Sequence, residues 1–146
     1  MLSEVQSPNR ITLVEDTPSD VYLLRSALEQ YGVNYTLEVI QDGERAILYL
    51  GRLTDGVEIA PDLVVLDLSL PRYDGLEVLS ACRQIAAMEH VPILVLTSSA
   101  SPREQARAEQ LGISAYVRKP ILLDDFMQVG LRIKELLQPK ARSIAP

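Results

Sequence analysis

Five polar residues in this 146-residue chain carry the groups that divalent-metal and phosphoryl chemistry require: carboxylates at Glu15, Asp16 and Asp67, a hydroxyl at Thr97 and an ammonium at Lys119. Each follows a short apolar run. Residues 11–14 lead into Glu15-Asp16, residues 63–66 into Asp67, residues 93–96 into Thr97, and residues 115–117 toward Lys119-Pro120. Magnesium prefers oxygen ligands and keeps several waters, so a few carboxylates suffice to hold it. A backbone carbonyl near Ser69 is the expected extra ligand. Without a cation the clustered carboxylates repel, and at least one pKa is expected to rise. With one, an aspartate can attack phosphorus and become an aspartyl phosphate. Fixed cations then supply most of the stabilisation of charge on the equatorial oxygens, and Lys119 and the metal are the candidates for that role.

These residues need a scaffold that gathers them. Uninterrupted apolar runs separated by helical segments read as strands of a parallel sheet buried on both faces. Residues just past the carboxyl ends of such strands converge on one crevice. The pattern predicts a first helix with Val21, Leu24, Leu28 and Tyr31 on one face, capped by Ser19 or Asp20 and ending at Gly32. A second strand spans 35–40, and a second helix runs from Glu44 to a stop at Gly51. Asp74-Gly75 opens a third helix with Leu76, Leu79 and Cys82 or Arg83 on successive turns. Ser101-Pro102-Arg103-Glu104 predicts a capping box before a fourth helix that ends at Gly112. Residues 114–118 form a fifth strand. The last helix carries Phe126, Val129, Ile133, Leu136 and Leu137 at helical spacing, with Asp124 and Asp125 at its positive end. The expectation is an α/β flavodoxin-like (βα)5 domain over 10–138, doubly wound, strand order 2-1-3-4-5, with tails at 1–9 and 139–146.

Composition narrows the class. The chain is 47% hydrophobic and 23% charged with net charge −6, which is globular. With no basic cluster, direct nucleic-acid binding is not expected. No apolar stretch is long enough to cross a membrane, and the N-terminus lacks a signal-peptide pattern. The single cysteine, Cys82, fits a reducing compartment. A cytoplasmic protein is expected.

From residue 11 to about residue 137 the sequence resembles the receiver domain of two-component response regulators. The resemblance rests on Glu15-Asp16, on the segment Asp67-Leu68-Ser69-Leu70-Pro71-Arg72-Tyr73-Asp74-Gly75, on Thr97 and on Lys119-Pro120. It is most similar to stand-alone receivers of the cyanobacterial phytochrome-associated type. The resemblance implies that Asp67 accepts a phosphoryl group from a sensor histidine kinase while Glu15 and Asp16 hold magnesium. It implies that Thr97 and Lys119 contact the phosphoryl group, and that Tyr116 is the aromatic whose burial reports activation. It implies a homodimer or target face built from helix 4, strand 5 and helix 5. About nine residues follow the last helix, so output is expected through a downstream protein target or a phosphotransfer protein. Tyr73 departs from the aliphatic residue or Met common at its position, which predicts different packing beneath that loop.

Each residue also has a plainer reading: Asp67 as a turn former, Asp16 as a helix cap, Thr97 as a hydroxyl bonded to backbone, Lys119 as a solvated cation, Tyr116 as an aromatic suited to strands. His90 reads as a surface loop residue and Cys82 as core. Other classes fit less well. A phosphohydrolase resembling the haloacid dehalogenases needs an acid two positions after the nucleophile, where this chain has Ser69. A flavin carrier needs a loop that welcomes phosphate after strand 1, where Glu15-Asp16 repel it. A receiver-like module that binds proteins without phosphorylation is the remaining alternative.

Overall fold

The computed structural model describes residues 7–137. The expected tails lie outside this range apart from 7–9, and Asn9 already belongs to a strand. Five parallel strands, β1 (Asn9–Val14), β2 (Tyr35–Ile40), β3 (Leu63–Leu66), β4 (Ile93–Thr97) and β5 (Ala115–Arg118), alternate with five helices. The helices are α1 (Pro18–Gln30), α2 (Gly43–Thr54), α3 (Gly75–Arg83), α4 (Pro102–Leu111) and α5 (Leu123–Leu137). The sheet order is β2-β1-β3-β4-β5, as the pattern predicts.

Side chains of a strand alternate between faces, and the core divides accordingly. Ile11, Leu13, Leu63, Val65, Leu94 and Leu96 meet α1 and α5 on one face. Val14, Val64, Leu66, Ile93 and Val95 meet α2 and α3 on the other. Thr12, the buried polar side chain of β1, is satisfied by the Tyr49 hydroxyl of α2 at 3.0 Å. The edge strand β2 instead alternates between half-buried and exposed residues.

Four local expectations change. The second helix does not stop at Gly51 but runs on to Thr54. A glycine ends a helix when it takes a positive φ; Gly51 does not, whereas Gly56 (φ 76°) does, and Leu53 is carried into the core. On α3 the buried stripe is Gly75, Val78, Leu79 and Cys82. Arg83 leaves the stripe and donates to the carbonyls of Gly112, Met88 and Val91 at 2.7–2.9 Å, bracing a 3-10 turn (Ala86–Met88) that the pattern does not announce. Half of the capping box forms: Ser101 Oγ accepts from Glu104 N at 3.2 Å, but Ser101 N donates to Ser99 Oγ. The N-cap of α1 is Thr17, which makes no side-chain cap bond, so neither Ser19 nor Asp20 caps that helix.

Cys82 is buried, and burial pushes its thiol up to about 11. His90 is exposed. Among the described residues no helix is long and apolar enough to cross a membrane.

Candidate functional site

Strand register assembles the site. Val14 pairs with Leu66 across β1 and β3, so the residues that follow, Glu15 and Asp67, lie side by side. Their backbone N–H groups extend the ladder, Glu15 N donating to Ile40 O at 2.9 Å and Asp67 N to Val14 O at 3.1 Å. On the other side Thr97 pairs with Arg118, and Lys119 N donates to Thr97 O at 2.8 Å.

The centre of the site is the Lys119 ammonium. Its Nζ lies 3.0 Å from Glu15 Oε1, 3.0 Å from Asp67 Oδ2 and 2.8 Å from Asp20 Oδ2. Glu15 and Asp67 are only 2% and 3% exposed, so each depends on this partner and on backbone N–H donors. Ser69 N donates to Asp67 Oδ1 at 2.9 Å, and Thr17 N to Glu15 Oε2 at 3.2 Å. Gly75 holds the loop that supplies Ser69. A Cβ there would lie 2.4 Å from Leu68 Cα, so the start of α3 presses against the backbone next to Asp67.

Electrostatics set the character of the pocket. Burial pushes the Glu15 carboxyl up to about 7, and the Asp67 charge adds to the rise against the Lys119 hydrogen bond. The predicted rise therefore occurs, with burial as its larger cause. Burial works against the Lys119 charge, but hydrogen bonds to Asp20, Asp67 and Glu15 raise it above the ordinary lysine range. Glu15, Asp16 and Asp67 each offer a carboxylate oxygen within 4.8 Å of the others. Three hard oxygen donors against one ammonium leave the cluster short of positive charge, and this donor set fits magnesium or manganese.

Thr97 is fully buried, and its Oγ1 accepts from Ser99 N at 3.2 Å. Tyr116 is half-buried against the α3-side core, and its buried hydroxyl has no well-formed hydrogen bond among the described residues. Burial, with the charges of Glu104 and Glu109, raises its pKa. The structure thus brings Glu15, Asp67 and Lys119 into direct contact, places Asp16 beside them at the exposed rim, and sets Thr97 one strand away. Asp20 is the site residue that sequence reasoning assigned elsewhere. Tyr73 packs on the start of α2: a Cβ on Gly43 would meet Tyr73 Cβ at 2.2 Å, so the loop after β3 sits directly on that helix.

Comparison with known proteins finds relatives that share the fold. A family model of the response regulator receiver domain matches residues 11–129. The chain is 34% identical over 143 residues to the probable methanogenesis regulatory protein FilR2 of Methanothrix harundinacea, covering 98% of this chain and 92% of that protein. The Mn2+-bound crystal structure of response regulator Rcp1, a Synechocystis protein, matches with a TM-score of 0.80 at 29% identity, over 91% of this chain and 98% of that one. The phosphorylated cyanobacterial phytochrome response regulator RcpA matches with a TM-score of 0.79 at 30% identity, over 90% of this chain and 94% of that one.

Proposed function

The chain belongs to the response regulator receiver domain family, and from that premise we propose that it is a phosphoacceptor switch whose phosphorylated residue is Asp67. The observation that carries the reading is the Lys119 ammonium, 3.0 Å from Asp67 Oδ2, with the Glu15 and Asp16 carboxylates beside it. An ammonium already on the acceptor carboxylate neutralises an incoming anion without reorganisation.

Glu15, Asp16 and Asp67, with the backbone carbonyl of Ser69, would hold the metal, which we take to be magnesium. When bound, the metal supplies the charge neutralisation that three carboxylates and an anionic donor require. Rcp1 crystallised with Mn2+ and RcpA in its phosphorylated form support the same chemistry in similar proteins. The Ser69 N–H fixes Asp67 Oδ1, and Lys119 stays with the oxygens on the other side. Thr97 turns its hydroxyl from Ser99 N toward the phosphoryl group, and Tyr116 then moves into the space vacated.

Receiver domain response regulators are not enzymes that turn over an external substrate; this one assists only its own phosphorylation and dephosphorylation. The phosphoryl donor is a sensor histidine kinase, and the partners of the phosphorylated form are a downstream protein target or a phosphotransfer protein. A homodimer uses the face of α4, β5 and α5. The net charge of −6 argues against nucleic acid as a direct partner, and the setting is the cytoplasm.

Intact mass after incubation with magnesium and an acyl phosphate tests the reading. A gain of one phosphoryl group in wild type, absent in Asp67→Ala, supports it. No gain in a protein that binds magnesium favours a binding module that works without phosphorylation.

A further inference from the structure

The shortest contact on the Lys119 ammonium comes not from the strand ends but from Asp20 Oδ2, at 2.8 Å. Asp20 stands in the first turn of α1, where an acid ordinarily compensates the helix dipole or caps a free N–H. Here its side chain does no capping. It reaches across to a residue 99 positions later in the chain. An ammonium has three N–H donors, and Lys119 directs them at Asp20, Glu15 and Asp67. With 13% of the Lys119 side chain and 21% of the Asp20 side chain exposed, the contact is not a loose surface pair.

Resting on the phosphoacceptor reading, we propose that Asp20 is a positioning residue that fixes the Lys119 ammonium for phosphoryl transfer to Asp67. In that transfer an Asp67 carboxylate oxygen forms the new bond to phosphorus, and with an acyl phosphate as donor the donor's P–O bond breaks. The donor's carboxylate leaves with the electron pair. Lys119 then has to meet phosphoryl oxygens where it met Asp67 Oδ2. Glu15 holds it from the sheet and Asp20 from α1, so two of its three donors stay engaged while the third changes acceptor. A lysine on a flexible stem loses rotamer freedom on ordering, and Asp20 keeps it ordered before the donor arrives.

Charge and tether separate by substitution. Asp20→Asn keeps an acceptor oxygen and removes a negative charge near the anionic donor. Asp20→Ala removes both. The expected phosphorylation rate with acetyl phosphate and magnesium falls about tenfold in Asp20→Ala, less than the about 100-fold that a fully misplaced catalytic group can cost, because Glu15 still holds Lys119. Asp20→Asn stays at or above the wild-type rate. Equal rates in the two variants overturn the proposal, whether both match wild type or both fall.

A second measurement does not depend on phosphorylation. The Lys119 ammonium NMR signal is expected to be observable in wild type and Asp20→Asn and broadened by solvent exchange in Asp20→Ala. Unchanged exchange in Asp20→Ala overturns the positioning role. If wild type takes no phosphoryl group, the phosphoacceptor reading fails while the NMR result still decides whether Asp20 holds Lys119.

Discussion

The backbone N–H of Lys119 donates to the carbonyl of Thr97 at 2.8 Å. This bond continues the β4–β5 ladder one residue past Arg118 and fixes the register in which a hydroxyl and an ammonium emerge from adjacent strand ends. The side chains then diverge in role. Thr97 Oγ1 is held by Ser99 N, while the Lys119 ammonium crosses to the carboxylates of the first and third strands and of α1.

Lys119→Met tests how far the fold relies on that cation. Two carboxylates that are 2% and 3% exposed lose their shared partner, and breaking a buried ion pair from one side typically costs about 3–5 kcal/mol. Urea unfolding in metal-free buffer at pH 8 is expected to show a loss of this order. At pH 5, where Glu15 takes up a proton, the loss is expected to shrink.

The raised Glu15 carboxyl gives a signed pH dependence. Its pKa is about 7 in the folded chain against an ordinary 4.5, so between these values the folded state holds a proton that the unfolded state has released. The unfolded state binds fewer protons, so stability falls as pH rises through the window. The contribution is full below 4.5 and gone above about 7. The urea midpoint of metal-free wild type, relative to Glu15→Gln, is expected to decline across this range. Magnesium must displace the same proton, so its apparent affinity is expected to weaken by about tenfold per unit below neutrality.

Two glycines inside helices predict opposite outcomes. Gly130 of α5 faces α1 so closely that a Cβ would lie 2.2 Å from the Ala27 carbonyl oxygen. Gly130→Ala is expected to destabilise by about 2 kcal/mol, because backbone cannot yield as a side chain does. Gly51 of α2 has open space around it, and Gly51→Ala is expected to stabilise by about 0.5–1 kcal/mol. Thermal unfolding of the two variants checks both signs.

Tyr116 carries a buried hydroxyl without a well-formed hydrogen bond among the described residues. An unsatisfied buried polar group costs about 1–3 kcal/mol, so removing it is expected to be neutral or stabilising. Tyr116→Phe should therefore unfold at the same or higher urea concentration than wild type. If ring burial is what reports activation, Tyr116→Phe keeps its response to phosphorylation and Tyr116→Ala loses it; chemical shifts on α4 before and after phosphorylation separate the two.

The strand-end residues were legible because a strand buried on both faces tolerates few polar side chains, so the first one after each run marks the crevice. Asp67 and Thr97 follow this rule, and strand order then brings Glu15 beside Asp67. Asp20 was not legible: an acid in a first helical turn has a sufficient local explanation, and only the approach of the start of α1 to the residue after β5 reveals its contact with Lys119. The same limit applies to Gly51 and Glu104. A glycine ends a helix only through its φ, and a capping box closes only if no nearer acceptor, here Ser99 Oγ, takes the N–H first. Gly130 reports a distance between two helices that no pattern within one helix encodes.

The central claim concerns one carboxylate, and the most direct test locates the phosphoryl group chemically. After incubation with magnesium and acetyl phosphate, borohydride reduces an aspartyl phosphate to homoserine, and peptide mass spectrometry reads its position. The account predicts conversion at Asp67 alone, dependent on magnesium and sharply reduced in Lys119→Met. Conversion at another carboxylate, or none in a protein that binds magnesium, would contradict it.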